Sequence, residues 1–149
     1  MREQVNEIKI SYHETPTPLS HPKITSSSDA VAVLFSHWEK GTIGLRESFK
    51  IVLLNNSNGV KGIFEISNGG ITGTLVDLRI LFAVILKSLT VGIILAHNHP
   101  SGTLKASSPD VEITKKIQRA ASFFDIKLLD HIILAPDGSY YSFADEGII

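Results

Sequence analysis

The sequence predicts an α/β (α+β) domain in which a central mixed β-sheet is flanked by helices. Three observations carry that expectation. Segments with apolar residues at helical spacing alternate with short β-branched runs. The continuous apolar stretch Val91-Gly92-Ile93-Ile94-Leu95-Ala96 is too short for a helix of its own and reads as a strand covered on both faces. Turn signals at Asn55-Asn56-Ser57-Asn58-Gly59 and Pro136-Asp137-Gly138 each sit between two such runs.

In chain order, Val5, Ile8, Ile10 and Tyr12 alternate imperfectly, as an edge strand would, and a Thr/Pro/Ser-rich connector follows through Thr15-Pro16-Thr17-Pro18 and His21-Pro22. Residues 1–25 are therefore an expected N-terminal arm, able to pair with a sheet edge, and residues 26–149 the domain proper. Ser26-Ser27-Ser28-Asp29 offers helix caps before Val31, Leu34, Phe35 and Trp38, and Lys40-Gly41 is the expected end of that helix. Residues 49–54 and 60–66 form a predicted hairpin. Residues 77–88 are apolar on most faces, as a helix largely buried against a sheet would be. A helix from about residue 109 to 124 places Ile113, Ile117, Ala120, Ala121 and Phe124 on one face, with Lys115, Lys116 and Arg119 largely on the other. Residues 128–135 and 139–143 complete a second hairpin. The order of the strands does not follow from these patterns.

Composition narrows the function. A chain of 149 residues with 43% hydrophobic content fits one domain with a proper core, and a formal charge of −1 provides no global field for nucleic acid. With no cysteine, disulfides and thiolate chemistry are excluded, and a transition-metal site must be built from histidine and carboxylate. The charged N-terminus Met1-Arg2-Glu3-Gln4-Val5-Asn6-Glu7 lacks the apolar core of a secretory signal, and no apolar run approaches the length of a membrane span. A cytoplasmic protein without membrane contact is expected.

The stretch Ala96-His97-Asn98-His99-Pro100-Ser101-Gly102, followed by Ser107-Ser108-Pro109-Asp110, reads as a metal site. Residues two apart in a strand share a face, so His97 and His99 point to one ion while Asn98 points away. Asp110, at a helix start a short loop later, supplies a carboxylate. Two imidazoles and a carboxylate leave the fourth tetrahedral position of a catalytic zinc open. The plainer readings are that Ser-x-x-Asp is only a capping box and that His-x-His only ends a strand. Neither explains both elements together.

The run His97-Asn98-His99-Pro100-Ser101-Gly102 with Ser107 and Asp110 resembles the JAMM signature, the JAB/MPN metalloprotease motif, in the form carried by the RadC family of bacterial proteins. The similarity runs from about Thr25 to Ile149, through Gly69-Gly70, Val76-Asp77-Leu78-Arg79, Leu129-Asp130-His131 and Tyr141-Ser142-Phe143-Ala144-Asp145-Glu146-Gly147. The resemblance implies a JAB/MPN-like fold and Zn2+ held by His97, His99 and Asp110. It also implies a catalytic Ser107 that stabilises an oxyanion, and an upstream glutamate as general base. Glu47, just before the strand 49–54, is preferred for that base; Glu65, in the second hairpin strand near Gly69-Gly70, is the alternative.

Two departures from the family pattern stand out. Ala106 replaces a usual proline, and Pro109 directly precedes the aspartate. Proline favours the first helical position, which would make Ser108 the cap and leave the Ser107 hydroxyl for chemistry. Asp130-His131 reads first as structural and second as support for the site, while His13, His21 and His37 have no partner at ligand spacing. The resemblance implies hydrolysis of an amide or isopeptide bond. The competing expectation is a DNA-repair or recombination accessory protein that binds DNA or a repair protein without turnover. A metal-free scaffold is the third. The substrate and the oligomeric state are not legible.

Overall fold

The computed structural model describes residues 3–9, 11–14, 21–70 and 75–149. Its elements are α1 (Ser27–His37), β1 (Ser48–Leu54), β2 (Val60–Asn68), α2 (Leu78–Lys87), β3 (Gly92–Asn98), α3 (Ser108–Ser122), β4 (Lys127–Leu134) and β5 (Tyr140–Ser142). The five strands form one mixed sheet in the order β2-β1-β3-β4-β5. β3 and β4 are parallel and the other neighbours antiparallel, because α3 provides the crossover that a parallel pair needs. The expected α+β architecture is the one observed.

The sheet divides the core in two. On one face Ala30, Val31 and Leu34 of α1 and Trp38 just after it pack on Val52, Leu54, Ile94, Ala96, Ile132 and Leu134. On the other, Leu81 and Ile85 of α2 and Ile117 and Ala121 of α3 pack on Phe49, Ile51, Leu53, Ile93 and Leu95. All seven residues of β3 are buried, which is why its sequence is an unbroken apolar run until the histidines. Side chains of β3 alternate between the two cores, so Ala96 faces α1 and His97 faces the side of α2 and α3.

Local signals explain most boundaries. Ser26 caps α1 in a reciprocal box with Asp29, and Asp77 caps α2 by accepting from Arg79 and Ile80. Asn55 Oδ1 takes the N–H groups of Ser57 and Gly59 at 2.9 Å each and closes the β1–β2 turn.

Three expectations about elements need correction. α1 ends at His37, before Lys40-Gly41, since Trp38 already turns to an extended backbone while its ring stays buried. α2 is less enclosed than its composition suggests: Leu81 and Ile85 are fully buried, but Ile80 and Leu86 are each more than 40% exposed. A ten-residue helix on a sheet covers only one stripe. The N-terminal strand is absent among the described residues 3–9 and 11–14, where Val5 and Ile8 stand exposed. The end of the arm does pair with the sheet, through Val60 N–H to the Pro22 carbonyl at 2.8 Å and Ile24 N–H to the Asn58 carbonyl at 3.0 Å. Ile10, the connector 15–20 and Gly73 lie outside the described residues. No helix among the described residues is long and apolar enough to cross a membrane.

Candidate metal centre

The site forms where β3 ends between β1 and β4 and where α3 begins. His97 is the penultimate residue of β3 and is buried, with its ring stacked on Phe49 of β1 at 6.1 Å. His99 extends the ladder by one more bond, its N–H reaching the Leu134 carbonyl at 2.8 Å. The chain then turns sharply. Gly102 N–H closes onto the His99 carbonyl at 2.9 Å, and its φ of +81° is one that few residues other than glycine adopt without strain. That turn brings the Thr103 carbonyl to within 2.7 Å of His99 Nδ1. A carbonyl only accepts, so His99 carries a proton on Nδ1, and in the neutral ring Nε2 is the lone pair directed inward.

His97 Nε2 and His99 Nε2 face each other at 3.0 Å. Asp110 Oδ1 lies 3.5 Å from the first and Oδ2 3.8 Å from the second. Tetrahedral bonds of about 2.0–2.1 Å to a zinc ion would separate ligand atoms by roughly 3.3 Å. The spacing and the N, N, O chemistry of the three groups therefore fit such an ion. Burial by itself would raise the pKa of Asp110. In its charged form the neighbouring His97 imidazole, together with the Ser107 N–H and hydroxyl, outweighs it and holds this carboxyl well below the usual carboxylate range. The aspartate is thus presented as an anion.

The two glutamates weighed from the sequence separate cleanly. Glu47, His97 and His99 each offer a ligand atom, and these atoms all lie within 4.8 Å of one another. Glu65 pairs with Lys50 across β1 and β2, and so shares the face of Ile63 and Val52 on the α1 side. His97 is on the opposite face. Gly69-Gly70, which drew attention to Glu65, in fact flanks Glu47: Gly69 N–H bonds the Glu47 carbonyl at 2.8 Å and Glu47 N–H the Gly70 carbonyl at 3.4 Å.

Ser107 corrects the reading of the α3 start. Ser107, not Ser108, is the N-cap; its Oγ accepts the Asp110 N–H at 3.1 Å and Asp110 Oδ2 accepts the Ser107 N–H at 2.9 Å. Pro109 occupies the second helical position, where a missing N–H costs no intrahelical bond, so the reciprocal box decides the register. Capping does not occupy the whole Ser107 hydroxyl. The cap uses a lone pair of Oγ and leaves the hydroxyl proton to donate elsewhere. Ser107 also lines an open cleft of about 490 Å³ together with Glu47, His99, Pro100, Thr103 and Lys105.

The fold gives definite contacts to two residues beside the candidate ligands, Asn98 and His131. Asn98 points away from the histidines, as expected, but into a buried socket: Nδ2 donates to the carbonyls of Ile43 at 2.7 Å and Arg46 at 2.9 Å, and Oδ1 accepts the Ser48 N–H at 2.8 Å. It pins both sides of Glu47. His131 of β4, first read as structural, lies fully buried with Nε2 2.8 Å from His97 Nδ1 and Nδ1 2.6 Å from Thr114 Oγ1. Burial, and then the nearby His97, push its pKa well below the ordinary imidazole value. Asp130 turns the other way and ties down the chain end, accepting from Ser142 Oγ and from the N–H groups of His131 and Ala144. His21 pairs with Glu14, and His37 bonds its own helix at Val33; neither belongs to the site.

The end of the central strand presents His-x-His to the carboxylate of the following helix, and the fold that carries this arrangement has a family. The family model of the RadC-like JAB domain matches residues 24–148, and the chain belongs to that family. A UPF0758 protein of Flavobacterium johnsoniae is 47% identical over 128 residues, covering 85% of this chain and 53% of that one. UPF0758 proteins of Porphyromonas gingivalis and Gloeothece citriformis are 40% and 39% identical over 104 and 128 residues, covering 46% and 50% of their own lengths. The chain thus spans about half the length of these relatives.

Proposed function

We propose that this protein is a zinc-dependent, metallopeptidase-like hydrolase of amide or isopeptide bonds, acting in the cytoplasm. His97, His99 and Asp110 would hold the ion, with Glu47 as general base and Ser107 as oxyanion donor. One observation carries the reading: two imidazole Nε2 atoms 3.0 Å apart, with an ionised aspartate 3.5 Å and 3.8 Å away and a glutamate beside them at the mouth of a cleft. A zinc ion held there supplies Lewis acidity, polarising a scissile carbonyl and lowering the pKa of water toward about 7.

The chain's own groups would do the rest. Glu47, partly buried at the cleft wall, takes the proton of the attacking water and delivers it to the leaving nitrogen. Ser107 donates its hydroxyl proton to the carbonyl oxygen as charge develops there, while its lone pair holds the first turn of α3 in place. The fixed cap matters because the same turn carries Asp110. An open cleft of about 490 Å³ is within the usual size range for a substrate site.

The test is metal quantification of wild type beside His97→Ala, followed by a peptide and isopeptide screen with both samples. Wild type should hold stoichiometric zinc and show chelator-sensitive turnover, and the variant should have neither. Wild type that takes up no zinc on titration would defeat the reading.

A further inference from the structure

Beneath the donor set, Thr114 of α3 and His131 of β4 are both 0% exposed, although neither offers an atom to an ion. They form a hydrogen-bond chain whose direction is set from one end. Thr114 Oγ1 lies 2.6 Å from the Asp110 carbonyl, which can only accept, so the hydroxyl proton is committed there. At 2.6 Å, His131 Nδ1 therefore meets only lone pairs on Oγ1 and must be the donor.

The His131 ring is stacked on Phe143 at 4.5 Å and meets the edge of Phe49 at 5.5 Å. Its nitrogens contact Thr114 and His97 rather than a carboxylate, and a ring so enclosed is held neutral. Its Nε2 is then bare and accepts from His97 Nδ1 at 2.8 Å. With its proton on Nδ1, a neutral His97 turns the lone pair of Nε2 to the side of His99 and Asp110.

We propose that Thr114 and His131 are positioning residues: they set the tautomer of His97, and the backbone carbonyl of Asp110 sets theirs. The loop is closed, because Asp110 ends the relay through its carbonyl and meets His97 Nε2 through its carboxylate. A zinc-binding Nε2 and an orienting partner on the other nitrogen are what a stable imidazole ligand requires. This inference rests on the reading of His97, His99 and Asp110 as a metal site. Its first readout is independent of metal.

The experiment is long-range ¹⁵N–¹H NMR of histidine-labelled, metal-free protein in mildly alkaline buffer. His131 and His97 should each carry the proton on Nδ1. Thr114→Val keeps the side-chain shape and removes the hydroxyl; it should disturb both tautomers and weaken zinc binding about 10–100-fold in competition with a chromophoric chelator. Thr114→Ser should restore both. His131 protonated on Nε2 in wild type, or Thr114→Val with wild-type tautomers and wild-type zinc affinity, overturns the relay. The expected tautomers in a protein that takes up no zinc would support the relay and defeat the metal reading, so the two failures are distinguishable.

Discussion

Asn98 Oδ1 accepts the backbone N–H of Ser48 at 2.8 Å, and the same carboxamide donates to the carbonyls of Ile43 and Arg46. The residue between the two histidines thereby fixes the segment that carries Glu47. Asn98→Asp keeps the acceptor and turns the donor into a second acceptor against two buried carbonyls. It should lower stability by about 3 kcal/mol in urea denaturation and reduce turnover, while zinc remains bound in the folded fraction. Unchanged activity and stability would show that Glu47 is placed by other contacts.

The choice between the two glutamates can be tested directly. Glu47→Gln should retain stoichiometric zinc and lose roughly 10²–10⁴ in kcat, because only the proton transfer is removed. Glu65→Gln, on the opposite face of the sheet, should match wild type in both measurements. Loss of activity in the second variant alone would reverse the assignment.

Ser107 has two roles that substitution can separate. Glycine tolerates the N-cap position, so Ser107→Gly should cost only a few tenths of a kcal/mol in thermal denaturation. The lost donor should lower kcat about 10²-fold. Ser107→Ala should lose both, with about 1 kcal/mol of stability. A fully active glycine variant would reduce Ser107 to a cap.

Acid should weaken the metal-free protein through Asp110. Its folded pKa is depressed, so the stability it contributes is fully present above the unfolded carboxylate value of about 3.9 and is lost as pH falls through the lower folded value. In chelator, wild type and Asp110→Asn should differ by roughly 0.5–1 kcal/mol at neutral pH and converge in acid. A gap that widens as pH falls would contradict the ionised, capping aspartate.

Much of this protein was legible before any coordinates. The period of two placed His97 and His99 on one face and Asn98 on the other, and the turn residues at 55–59 and 136–138 marked both hairpins. These are local properties, set by neighbours a few residues apart. The start of α3 was read one residue late because Pro109 suits either of the first two helical positions. Only the reciprocal Ser107–Asp110 bonds choose between them.

The sequence by itself pointed to His97, His99 and Asp110 as candidate donors and to the element that carries each, because residue type and strand alternation are written in short spacings. Tertiary structure decided what depends on pairing between distant segments. β1–β3 pairing brought Glu47 beside the histidines, the Lys50↔Glu65 register sent Glu65 to the other face, and parallel β3–β4 pairing placed His131 against His97. A shift of one residue in any of these registers would turn each side chain to the opposite side of the sheet. No local pattern contains that information.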